Sequence, residues 1–312
     1  MHPLHLPPLR TLRARIHGIG IACALLAAAP AQAAAPTPQE LAELQEIVQR
    51  HVAGQQAMQA ALKTWNASAA QRVQAYKDGP GRQRWQDAAQ QVARVRSAPP
   101  SPEAAQLWQA LDAGVDTSSG RNPLARATSP QTGDELALSS TWLRQQVLGQ
   151  RADGRYSYAY ALNLSRLGRP GEYLMESAIF LAHARLALQI DADRCVDKAL
   201  AMDVMAGHES QPGLRELDRA VKALPPKQRA TAMLEAVILE ETLGERPALP
   251  WLCQAPAGQP TLTQVATPSG DIGQTYVVGQ APKAPRWVDE AAWQAARRQR
   301  LQQTTNSLLP DL

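Results

Sequence analysis

The sequence predicts an all-α protein: an antiparallel helical bundle or array with an extended C-terminal arm and a terminal helix. Three observations carry this reading. Apolar residues recur at helical spacing through most of the chain from Gln39 onward. Breaker clusters punctuate that pattern at Gly79-Pro80-Gly81, Ala98-Pro99-Pro100, Pro170-Gly171 and Pro225-Pro226. Strand character is confined to Thr275-Tyr276-Val277-Val278, and one short strand does not make a sheet.

Residues 1–33 read as an export signal rather than structure. Arg10, Arg13 and Arg15 precede the apolar run Ile19 to Ala29, and Ala31-Gln32-Ala33 fits the small-x-small cleavage pattern. The run is too short to span a bilayer, and no segment of the chain reaches the 18 apolar residues of a membrane span. Gly20 stands three residues before Cys23, where lipidation calls for an aliphatic residue, and there is no twin-arginine pair. Cleavage after Ala33 delivers the protein to the periplasm or the medium. It also removes three of 32 Lys and Arg, leaving 29 against 28 Asp and Glu, a formal charge of about +1. The basic balance that would point to nucleic acid is thus mostly signal peptide.

The mature chain opens with a helical section over 34–113. Leu41, Val48, Gln55, Leu62, Ala69 and Tyr76 recur every seven residues, and Leu44, His51, Met58 and Trp65 are offset by three. This is an a/d seam with two polar interruptions, His51 and Gln55. Gly54 lies between them, which predicts a kink. A second helix presents Trp85, Ala89, Val92 and Val95, and Ser101-Pro102 opens a third, with Ser as N-cap and Pro in the first turn.

Residues 114–134 read as a connecting loop, and 135–254 as a helical core. Asp134 is placed to cap a helix through Leu136, Leu138, Trp142, Leu143 and Val147. A helix from Tyr158 to Leu167 ends at Gly168, and Glu172–Ile190 is apolar almost all round, the mark of a buried central helix. Leu214, Leu217, Val221 and Leu224 give a further amphipathic face. Lys227–Leu243 follows with Gly244 at its end. Residues 255–312 form the arm and a last helix starting near Trp287 and Trp293, aromatic residues suited to docking on a partner or on the protein's own core.

Few residues invite a chemical role. Glu172, Glu176 and His183 fall within a wedge of about 40° on the central helix. Glu176 and His183 are nevertheless two turns apart with Ile179 between them, so the stripe reads as the solvent-facing edge of that helix. We expect no metal, no cofactor and no catalytic residue there. His208-Glu209 begins a zinc-binding His-Glu-x-x-His, but position 212 is Pro and the motif fails. His51, on the seam, reads as a partly buried polar residue that sets register.

Glu176-Ser177 with Phe180 resembles the catalytic Glu-Ser of lytic transglycosylases. The chain lacks that family's Gly-Leu-Met-Gln segment, so a cell-wall glycan hydrolase using Glu176 is the alternative reading. With Cys23 removed, Cys195 and Cys253 form an even pair in an oxidising compartment and read as one intramolecular disulfide, a bond between two chains being the rival. The succession Asp193-Arg194-Cys195-Val196-Asp197, Leu224-Pro225-Pro226-Lys227-Gln228-Arg229 and Trp251-Leu252-Cys253 resembles a diffuse group of exported proteobacterial helical proteins with an Arg-Cys-x-Asp … Leu-Cys pattern. That resemblance implies a helical fold and paired cysteines and lends no activity. The functional expectation is an exported, non-catalytic helical protein that contacts a protein partner in the envelope, with no nucleic acid and no membrane span in the mature chain.

Overall fold

A computed structural model of the chain describes residues 38–113, 124–130, 132–254, 261–266, 272–277 and 284–311. The proposed signal segment, residues 1–33, lies outside the described residues. The fold is all-α, and among the described residues no helix is long and apolar enough to cross a membrane. The chain divides into two compact units, residues 1–64 and 65–312.

The described part of the first unit is a single stretch of helix α1, Pro38–Asp78, which continues unbroken through Gly54. In the second unit the last turns of α1 bury Ala69 and Val73. Lys77 pairs there with Glu241 at 2.6 Å, and Arg72 Nε donates to Asn306 Oδ1 at 2.8 Å.

Next come α2 (Arg82–Ser97), α3 (Pro102–Ala113) and α4 (Gly133–Arg144), which runs into a π turn at Gln145–Gly149. Ser101 Oγ caps α3 by accepting from Ala104 N at 3.2 Å, as its Ser-Pro start predicts. The cap of α4 is Thr132, whose hydroxyl accepts from Glu135 N, and Asp134 sits inside the first turn, where its charge suits the helix dipole.

The centre of the molecule is built from α5 (Gly154–Leu164), α6 (Leu174–Ala192) and α9 (Pro226–Leu243). Helix α6 packs against α5 and α9, and also against α7 (Lys198–Glu209), α8 (Pro212–Lys222) and α10 (Glu290–Leu308). Its apolar circumference follows from that position. Gly154 lets α5 close on α6: a Cβ there would lie 2.6 Å from Leu188 Cγ and 2.8 Å from Ala184 O. Asp153 starts α5 by accepting from Arg155 N. Gly244 ends α9 at φ +77°, a conformation that favours glycine.

Val92, Val95 and Leu111 share one core with Leu143, Leu148, Leu181 and Leu188. The helices of 82–113 are therefore part of the main core rather than a separate section. Leu124 and Ala127, in the expected connecting loop, are buried in it too. A smaller cluster of Leu186, Ile190, Val237, Trp293 and Leu301 seats α10 on α6 and α9.

The arm carries a hairpin that strand propensity alone does not reveal. Strand β1 (Thr261–Ala266) pairs antiparallel with β2 (Ile272–Val277), with Thr263 opposite Thr275. Beyond it the chain returns to the core: Val196 N donates to Arg286 O at 3.0 Å and Val288 N to Arg194 O at 2.9 Å. Cys195 and Cys253 are joined within the chain, their Cα atoms 5.2 Å apart.

Candidate functional site

The three side chains singled out on the central helix do not meet as a site. Glu172 precedes α6 and is exposed, its carboxylate accepting from Arg169 N at 2.9 Å across the Gly168–Gly171 turn. Glu176 is exposed on the first turn of α6. His183 is buried, which corrects its expected place on a solvent-facing edge. The wedge is real, but burial changes along it: α5 and α9 close over its C-terminal end and leave its N-terminal end in solvent. Among the described residues no group of three or more His, Cys, Asp or Glu is placed to hold a metal ion.

His183 belongs to a buried polar core. Its Nδ1 is hydrogen-bonded to Ser157 Oγ at 2.8 Å, and its Nε2 lies 3.4 Å from Glu240 Oε2, an electrostatic contact without hydrogen-bond alignment. Arg246, just past the α9 terminus, is the hub. It donates to Glu240 Oε2 at 2.8 Å, to Asp191 Oδ2 at 2.7 Å and to Ala187 O at 2.9 Å. Arg297 from α10 reaches Glu240 O at 2.9 Å and Oε1 at 3.3 Å. Arg194 donates to Arg246 O at 2.8 Å and lies over the Trp293 ring at 3.4 Å, while Trp293 Nε1 donates to Ile190 O at 2.8 Å.

The electrostatics follow from burial and pairing. Burial pushes Glu240 up, but Arg246 and His183 outweigh it and hold the carboxyl at about 2. For Asp191 burial wins over Arg246, and its carboxyl is pushed up to about 6. The geometry agrees: Asp191 Oδ1 has no hydrogen-bond partner among the described residues, so half of that carboxylate gains nothing from being charged.

Ser157, His183 and Glu240 make a serine–histidine–carboxylate series, yet a nucleophile must touch a substrate. Ser157 is 0% exposed and His183 and Glu240 are each 1% exposed. The series is sealed inside the protein and acts as a latch that joins α5, α6 and α9.

Aromatic and basic groups elsewhere serve the fold in the same way. Arg155 chelates Asp153 and stacks 3.9 Å from the Trp251 ring, which also meets His208 edge-on at 5.2 Å, so the turn bearing Cys253 is fastened to α5 and α7. Pro212 opens α8 where a zinc motif would need its second histidine. A surface groove of about 660 Å³ runs between α2, α3 and α4 past Arg94, Pro99, Trp108 and Arg144. Trp108 is committed there to Leu138 O, at 3.4 Å.

The other unusual feature is on α1. Ile47, Val48, Val52, Met58, Leu62 and Trp65 are 44–59% exposed. All but Val52 fall within about 60° of the direction of Leu62, and Val52 borders that face. Ala69 and Val73, further along α1, are buried at 1% and 5%. Residues 47–65 of α1 thus present an apolar stripe left in solvent. His51, expected to be partly buried, is exposed in the stripe and bonded to Gln55 Nε2 at 2.9 Å. No known protein family, curated protein or solved structure matches the chain.

Proposed function

We propose that this is an exported, disulfide-stapled helical protein that works without catalysis, by contact between α1 and another protein in the cell envelope. The observation that carries the reading is the stripe from Ile47 to Trp65, six large apolar side chains left in water on one helix. Scattered exposed apolar residues are ordinary; a row about 27 Å long on one face, interrupted by His51 and Gln55, marks an interaction surface. The Arg-rich and apolar succession of residues 1–33 and the joined Cys195 and Cys253 support an oxidising, extracytoplasmic setting.

The rival, glycan hydrolysis by Glu176, lacks comparable support. A sugar ring needs walls to bind against, and Glu176 is exposed on a helix turn. Protein recovered from the envelope should run as a complex, and Met58→Glu with Leu62→Glu should release it while thermal unfolding stays unchanged. A complex indifferent to both charges would remove the stripe from the account. Clearing of peptidoglycan in a zymogram, lost in Glu176→Gln, would favour the hydrolase instead.

A further inference from the structure

We propose that the α1 stripe is covered by the same stripe of a second copy, running antiparallel, about a two-fold axis level with Ala53. The inference rests on the contact reading above and names the partner. Its basis is a palindrome in the seam. Two residues either side of Ala53 stand His51 and Gln55; five either side, Val48 and Met58; nine either side, Leu44 and Leu62; twelve either side, Leu41 and Trp65. Each of these four seam pairs matches polar with polar or apolar with apolar, while Ile47 and Val52, on the flanks of the stripe, fall opposite Gln59 and Gly54.

An interface between identical copies must be self-complementary, with residue i meeting j and j meeting i. In an antiparallel pair each a position faces a d position of the partner helix, and Val48, Gln55 and Leu62 are a positions while His51 and Met58 are d positions. The register about Ala53 therefore stacks apolar layers at both ends of two central polar layers, in which each His51 meets a Gln55. A shift by one heptad would bury His51 against Leu62, at the cost of a polar group without a partner.

Charge sets the direction. Residues 38–52 carry Glu40, Glu43, Glu46 and Arg50, a net −2, and residues 54–68 carry Lys63 alone, a net +1. Antiparallel pairing lays the acidic half of each helix along the basic half of the other and opposes their dipoles. Parallel pairing would set −2 beside −2. From position 41 to position 65 the paired seam is about 36 Å long.

The test is sedimentation of the mature chain, followed by cysteine pairing. The native protein should dimerise, and Leu62→Glu should weaken dimerisation by more than about 100-fold, because the two-fold axis enters each change twice. Since Cys195 and Cys253 are joined, introduced thiols have no competitor in the mature chain. Val48→Cys mixed with Met58→Cys should give a disulfide-linked pair, and neither variant alone should. Met58→Cys linking readily to itself would overturn the antiparallel register. A monomer at about 1 mM, where even weak association registers, would overturn self-pairing. In that event a Met58 crosslink to a different protein leaves the contact reading standing, and no crosslink from Met58 in the intact envelope ends both.

Discussion

Replacing Arg246 with Met tests whether the buried polar core is a structural latch. Methionine keeps an unbranched apolar stem and deletes the guanidinium that binds Asp191 at 2.7 Å, Glu240 at 2.8 Å and Ala187 O at 2.9 Å. Glu240 keeps Arg297 at 3.3 Å, so the heavier loss falls on Asp191, whose hydrogen bond is to Arg246 alone among the described residues. Removing one partner of a buried pair costs about 3–5 kcal/mol. Against a typical folding free energy of about 5–15 kcal/mol that is a large share, and it corresponds to a fall in Tm of roughly 6–20 °C.

The pH dependence has a definite sign. The Asp191 carboxyl already sits at about 6, above its ordinary value, and loss of the cation raises it further. A raised carboxyl makes the folded state the better proton binder, so stability falls as pH rises through that range. Urea denaturation followed by circular dichroism should show Arg246→Met more impaired at pH 8 than at pH 5. Adding Asp191→Asn should restore part of the loss. A penalty below about 1 kcal/mol at pH 7, or one independent of pH, would refute the latch.

In the native protein Glu240, held at about 2, stabilises the fold above pH 4.5 and loses that contribution as acid protonates it. Asp191 acts oppositely between its ordinary 3.8 and about 6, so Asp191→Asn should flatten the decline in stability over that interval in a pH series of urea midpoints. Cys195→Ala with Cys253→Ala should cost about 4 kcal/mol on the chain-entropy estimate for the 58-residue separation, read from the same curves. Gly154→Ala should cost about 1–3 kcal/mol through its clash with Leu188 and Ala184 O, and Leu188→Ala in the same chain should recover little, because the backbone oxygen remains.

The fold class, most helices and the cysteine pairing were legible from periodicity, breakers and counting, because each depends on local chemistry or on one constraint. Helix α7 was not. Its buried residues Ala201, Met205 and His208 are few and include a polar one, so the apolar signal is thin. Strand β1, Thr-Leu-Thr-Gln-Val-Ala, mixes polar and apolar residues without clean alternation and is recognisable as a strand only beside β2.

The polar core was harder to read for a different reason. His183 was placed on the right wedge of the right helix, but which part of that wedge is covered depends on α5 and α9. Glu240 did leave a trace: it lies four residues after Ala236, three after Val237 and three before Leu243, all buried, so a carboxylate occupies an inward position of an apolar helix. Such a residue demands a buried cation, and Arg246 follows six positions later. Ser157, a small polar residue on a helix buried along its whole length, carries no comparable mark.

The central claim, that the exposed face of α1 is the working surface, is tested most directly by photo-crosslinking from that face in the intact envelope. A photoreactive side chain at Met58 points along the stripe, and one at Gln56, two residues away and also exposed, points about 160° from it. The account predicts defined protein adducts from position 58, at the mass of two copies of the chain if the stripe pairs with itself, and none from position 56. Equal adducts from both positions, or none from either, would contradict it.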